Sequence, residues 1–287
     1  MTVAASMKDG WFYTYDAFLG RPHPFPIAFA LGSSFFYLLM IYVVVPLFKP
    51  SPAGFPAVER VRFFHNVLLC LFSTACTVVC LWYLIVNGEA SFLWYGDNKP
   101  MMCQRADPWL YNLGLVFTVS KAYEWFDTVF LVLVGSKGAT NFLHVYHHAT
   151  TFWLFLIVQN LPGPMKLGLL LNGGVHALMY AHYAWPFPKK WVPLITISQI
   201  AQLIYVTYIW TITPSSCPPM ASFPQAYFYE FITPYFFVPV YIVFFIHFFV
   251  KRFLLGGGKK GGSGGAPRRA VPSASAVHDG VKKQATQ

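Results

Sequence analysis

Charge is what this 287-residue chain has least of: only 10% of its residues are Asp, Glu, Lys or Arg, against 56% hydrophobic. Soluble globular domains carry about 25% charged residues, so this is the composition of a polytopic membrane protein. The first 26 residues lack a basic start, apolar core and small-residue cleavage site, and so read as no secretory signal. No internal repeat is found, the loops between apolar stretches are short, and nothing resembles a nucleic-acid-binding module. One membrane domain is the economical reading.

Apolar and aromatic residues are what is there, including 29 Phe and 17 Tyr. A membrane-crossing helix needs about 20 predominantly apolar residues. The stretches that qualify are near Ile27–Phe48, Phe63–Val86, Trp109–Val134, Asn141–Gln159, Leu167–Trp185, Trp191–Ile212 and Glu230–Leu254. The expectation is an all-α membrane protein with seven transmembrane helices. It comprises an N-terminal segment (1–26), a membrane domain (27–255) and a basic, Gly- and Ser-rich tail (256–287) expected to be disordered in the cytosol.

Loop charge sets the expected orientation. Lys49, Arg60, Arg62, Lys137, Lys189, Lys190, Lys251 and Arg252 fall in one set of loops, against Lys99, Arg105 and Lys166 among four acids in the other. The first set and the C-terminus are placed in the cytosol, and the N-terminus in the lumen. Cys70, Cys76 and Cys80 read as packing residues of the second stretch. Cys103 and Cys217 fall in two luminal loops, where an oxidising compartment permits a disulfide.

Against this apolar background, His144, His147 and His148 crowd one side of about one helical turn in the fourth stretch. Ionisable groups in hydrocarbon are costly and commonly mark a functional site. The third stretch carries Lys121, Glu124 and Asp127 at i, i+3, i+6, within an arc of about 120°. Two readings stand: a salt-bridged set holding helices together, or carboxylates that orient the imidazoles, with Lys121 in support. The fifth carries Asn172, His176, Tyr180 and His182; the sixth carries Thr196, Gln199 and Gln202, amides that serve equally as interhelical glue. At about 1.5 Å per residue, His144 to His148, Asp127, His176, Gln199 and Gln202 share one slab below the cytosolic surface, so one pocket could gather them.

Imidazole suggests metal first. Membrane di-iron desaturases and hydroxylases use about eight histidines in several H-x-x-H-H boxes, and no second cluster occurs here. No intramembrane Ser-His-Asp spacing is present, and no cysteine accompanies the box, so acyl transfer on histidine is the better fit. A seven-span receptor or transporter is the non-enzymatic alternative.

Four boxes carry a resemblance: Lys121-Ala-Tyr-Glu124-Trp-Phe-Asp127-Thr128, His144-Val-Tyr-His147-His148, Asn172-Gly-Gly-Val175-His176-Ala-Leu-Met179-Tyr180, and Thr196-Ile-Ser-Gln199-Ile-Ala-Gln202. In kind and order they resemble the ELO family of very-long-chain fatty acid elongases, condensing enzymes of the endoplasmic reticulum. His182 departs from the tyrosine usual there.

The resemblance implies six of the spans round a narrow acyl tunnel, no bound cofactor or metal, and acyl-CoA and malonyl-CoA as substrates. The product would be a 3-oxoacyl-CoA two carbons longer. It implies His147 as nucleophile, with hydrogen bonds from His144, His148, His176 and Asn172, and Glu124, Asp127, Tyr180, Gln199 and Gln202 in support. Lys137, Lys189, Lys190, Lys251 and Arg252 flank the expected cytosolic mouth; they are read as CoA-phosphate contacts or as topology residues only. Expected partners are the bilayer, the reductases and dehydratase of the elongation cycle, and a second copy of the chain.

Overall fold

The computed structural model describes residues 24–48, 55–104, 107–136, 141–158, 162–212 and 236–255. Every regular element among them is helical. Three helical stretches, Ala28–Leu47, Phe55–Val86 and Val192–Thr211, are long and apolar enough to cross a bilayer. In hydrocarbon each backbone N–H and C=O must be satisfied internally, which a helix does and an open strand does not.

Helix α1 spans Pro24–Leu39 and runs on through a π-helical turn, Met40–Val44. Helix α2 spans Phe55–Val86, starting eight residues before the expected apolar stretch. It is apolar outside and polar inside. Phe64, Leu68, Leu71, Val78, Trp82 and Ile85 are exposed, whereas His65, Asn66 and Ser73 are buried. That inversion of the soluble pattern suits a helix whose outer face meets lipid.

The chain then forms two short helices, α3 (Ser91–Tyr95) and α4 (Lys99–Cys103). The next pair is α5 (Pro108–Tyr123) and α6 (Trp125–Leu133). Asp107 caps α5 by accepting from Leu110 N at 2.8 Å, and Pro108 follows where no N–H is needed. The expected third span is thus interrupted at Glu124, where Asp127 N bonds to Glu124 O rather than one residue further back.

Helix α7 (Phe142–Val158) carries the histidine box, and α8 (Pro162–Leu167) leads into a π-helical turn, Gly168–Asn172, and then α9 (Gly173–Ala184). Helices α10 (Val192–Ile212) and α11 (Val238–Phe249) follow, with a last π-helical turn at Val250–Leu254.

Helices α2 and α9 pack along their length, and glycine permits it. A Cβ on Gly173 would stand 2.6 Å from Thr77 Oγ1 and 3.3 Å from Ser73 O. Thr77 Oγ1 donates to Ser73 O at 2.9 Å and shares that proton across the contact with Leu169 O at 3.3 Å, and Cys70 Sγ donates to Ala177 O at 3.5 Å.

At the end of the helices near α4, Lys166 is fully buried. Its ammonium pairs with Glu89 and donates to Gln104 O at 2.8 Å and Met101 O at 3.4 Å. Sequence reading used both residues only to count loop charge; the structure makes them a tether between α8 and the loop around α4. Burial pushes the Glu89 carboxyl up and the Lys166 ammonium down from their ordinary values, each offset in part by the other.

Candidate active site

Helices α2 and α6 to α11 surround a cavity of about 550 Å³. At one end its wall is Arg62, Asn141, Tyr183, His182, Arg252 and Phe253, from helix ends that the alternating chain direction brings to the same side. In the middle stand His144, His147, His148, Asn172 and His176. Beyond them the wall turns apolar: Leu154, Phe155, Leu167, Val206 and Trp210. The cavity therefore grades from cationic, through imidazole, to hydrocarbon.

Each histidine is held by a different neighbour. His144 Nε2 lies 2.8 Å from the Thr128 hydroxyl, which lies 2.8 Å from the Tyr37 hydroxyl, linking α7 to α6 and α1. The His144 and His148 rings are 4.5 Å apart between centroids. His148 also has its backbone carbonyl bonded by Trp125 Nε1 at 2.9 Å, which docks α6 on α7. His147 faces Tyr241 of α11, ring centroids 5.3 Å apart, and the Tyr241 hydroxyl is fixed by Thr150 at 2.6 Å.

Three buried polar atoms in this middle zone have no hydrogen-bond partner: His147 Nδ1, Asn172 Oδ1 and His176 Nδ1. His176 Nδ1 does approach Glu124 Oε1 to 3.4 Å, near enough for charge to matter but outside hydrogen-bond geometry. Buried polar groups are nearly always satisfied, so three unsatisfied ones on one wall mark a place suited to a ligand's polar atoms.

The Lys-Glu-Asp set divides in two. Lys121 and Glu124 lie behind the wall, fully buried, 2.7 Å apart, with the ammonium 4.2 Å from the centre of the Phe117 ring. Glu124 alone of the two carboxylates comes near a histidine of the proposed site. Asp127 reaches the cavity, but its oxygens take the Tyr180 hydroxyl at 2.6 Å and His65 Nε2 at 2.9 Å. Asp127 thus bonds none of the box imidazoles, because it turns toward α2 and α9 rather than α7.

Gln199, Gln202 and Tyr180 line the cavity as well. Of the expected CoA contacts, Arg252 lines it; Lys189, Lys190 and Lys251 do not, and Lys137 lies outside the described residues. Cys217 also lies outside them; Cys70, Cys76 and Cys80 are free thiols.

His65 and Arg62 stand outside the four sequence boxes. His65 belongs to no cluster in the sequence, and Arg62 counts there only as a loop charge. A signal for His65 existed: Asp127 in an apolar run must find a buried donor. Among the described residues, no group of three His, Cys, Asp or Glu side chains is arranged to hold a metal ion.

The model of the GNS1/SUR4 family (ELO) matches residues 26–261. The chain is 44% identical over 123 residues to "Fatty acid elongase 6" of Leishmania major, covering 42% of this chain and 30% of that protein. It is 34% identical over 158 residues to "Long chain fatty acid elongase 1" of Caenorhabditis elegans, covering 50% and 51%. With "Very long chain fatty acid elongase 2" of Mus musculus it shares 29% over 188 residues, 58% of each chain. The matches span less than two thirds of the length of all three relatives.

Proposed function

The chain belongs to the GNS1/SUR4 (ELO) family, and from that premise we propose that it is a fatty acid elongase joining an acyl-CoA to malonyl-CoA. The observation that carries the reading is the cavity's gradient: histidines with unsatisfied nitrogens lie between a cationic end and an apolar end. An acyl thioester has that shape, with an anionic nucleotide, a reactive carbonyl and a hydrocarbon tail. The tail gains about 0.8 kcal/mol per buried CH₂.

The reaction runs in two halves. A ring nitrogen of His147 attacks the thioester carbonyl; the C–S bond breaks, and CoA leaves with the imidazole's proton. Neutral imidazole, with a reference pKa near 6.5, is a competent nucleophile at neutral pH. Malonyl-CoA then loses carbon dioxide, and the electrons of the broken C–C bond form an enolate. The enolate carbon attacks the acyl group, the C–N bond breaks, and the released ring nitrogen takes up a proton from water to restore His147. The 3-oxoacyl-CoA that leaves is two carbons longer. His144, His148, His176 and Asn172 are the donors for the oxyanions that develop.

In this reading the chain spans the endoplasmic reticulum membrane seven times, six spans surround the tunnel, and the N-terminus is luminal. A Cys103–Cys217 bridge clamps two luminal loops. Reductases and a dehydratase consume the product, and the chain can pair with a second copy.

The test is incorporation of radiolabelled malonyl-CoA into a panel of acyl-CoAs by membranes containing the chain. Wild type should extend long-chain acyl-CoA, and His147→Ala should abolish this at equal expression. Wild-type incorporation by that variant removes the nucleophile; no incorporation by wild type removes the elongase reading.

A further inference from the structure

Three basic side chains outside the catalytic cluster share the cavity's cationic end. Arg62 comes from the first third of α2, His182 from the last turn of α9, and Arg252 from the π-helical turn after α11. They share this end with Tyr183, which follows His182 on α9. Among the described residues on this wall, the other charged side chain is Asp127, which His65 and Tyr180 engage.

Topology explains most basic residues at a membrane surface, but it does not select these. Arg60 sits two residues from Arg62 and Lys251 beside Arg252, yet neither is on the wall. Each of the three is also left able to take an anion.

Arg62 pairs with Glu59 of its own helix at 2.7 Å, with side chains 33% and 35% exposed. Such a solvent-screened pair contributes little, so exchange for another anion costs little. Arg252 has no ion pair among the described residues. Its guanidinium lies 5.7 Å and 5.8 Å from the centres of the Phe248 and Phe253 rings, which hold its plane without using up its donors. His182 Nδ1 accepts the Phe187 N–H at 2.9 Å. The ring proton is thereby placed on Nε2, making His182 a donor even when neutral.

We propose that Arg62, His182 and Arg252 form the subsite that binds an anionic group of the thioester substrate, a CoA phosphate or the malonyl carboxylate. The proposal rests on the thioester reading above and names two residues, Arg62 and His182, that this reading leaves without a role. A guanidinium fork is suited to either oxyanion.

Equilibrium binding of CoA and of malonyl-CoA to the purified full chain tests it without requiring turnover. R62Q and R252Q should each weaken binding about tenfold or more, as loss of a charge-assisted bond predicts. H182F should weaken it by a few-fold. R60Q removes the same charge from the same helix off the wall, and should stay within about twofold of wild type.

Equal loss for both ligands identifies the phosphates; loss for malonyl-CoA alone identifies the carboxylate. The subsite is overturned if R62Q and R252Q, with wild-type thermal midpoints, bind both ligands no worse than R60Q. If a glutamine variant lowers the midpoint, R62M and R252M replace it. They keep the apolar stem and remove the charge, so undiminished binding by both overturns the subsite equally. A wild-type chain that binds CoA through these arginines yet consumes no malonyl-CoA loses the elongase reading alone.

Discussion

His65 Nε2 lies 2.9 Å from Asp127 Oδ1, tying α2 to α6 beneath the cavity wall. With the Tyr180 hydroxyl on the other oxygen, one carboxylate orders three helices. D127N keeps the shape but offers one carbonyl oxygen and one NH₂ to two donors. One donor loses its acceptor, at about 1–3 kcal/mol. The expected outcome is a lower thermal midpoint and a turnover loss of about tenfold or more; a variant as stable and active as wild type removes the ordering role.

Lys121 and Glu124 form a buried ion pair, with the Phe117 ring beside the ammonium and His176 3.4 Å from the carboxylate. K121M strands the carboxylate and should cost about 3–5 kcal/mol, while K121M/E124L should recover much of the loss. Thermal unfolding of the two variants side by side gives the answer. A double variant no better than the single one means that the pair's role is not mutual neutralisation.

The Tyr37–Thr128–His144 chain should matter for rate more than for binding. T128V breaks both links, whereas T128S keeps the hydroxyl. For T128V we expect kcat to fall about tenfold, roughly one hydrogen bond, with KM for acyl-CoA little changed. T128S should restore most of the rate; its failure to do so assigns the loss to packing.

Lys166 and Glu89 should leave a pH signature. The native carboxyl titrates above the unfolded value of 4.5, so the native state takes up that proton first. This term stabilises as pH falls through the native pKa toward 4.5. The native ammonium titrates below 10.5, so its term stabilises as pH rises from the native pKa toward 10.5. Between the two windows both groups are charged and their contribution is lowest. Wild-type thermal midpoint minus that of E89Q/K166M should therefore pass through a minimum between the two windows. A difference that is flat, or that peaks there, contradicts the sign.

Trp210 stands at the apolar end of the cavity, far from the arginines. If acyl length is set there, W210A should move the product distribution toward longer chains, each added CH₂ gaining about 0.8 kcal/mol when buried. Chromatography of labelled products reads this directly, and an unchanged distribution places the limit elsewhere.

Helical spacing made the polar slab legible. The i, i+3, i+4 pattern puts His144, His147 and His148 on one face, and depth arithmetic puts His176, Gln199 and Gln202 in the same slab; all line the cavity. Spacing gives a face but not the direction in which it points. That is why spacing leaves open whether Asp127 holds helices together or orients the histidines, where the structure has it serve His65 and Tyr180, and why it does not tell the lysines near the mouth from Arg252. The interruption at Glu124 and the π-helical turn before Gly173 were invisible for a related reason: both preserve apolarity and change only local winding.

The contact between Gly173 and Thr77 limits how this protein can breathe. With backbone against side chain at that point and hydrogen bonds on either side, α2 and α9 form a fixed half of the chamber. Extra room in the cavity must come from the other helices that line it, α6 to α8, α10 and α11. Tolerance for bulkier ligands should accordingly evolve on those helices, while their rigid counterpart stays untouched.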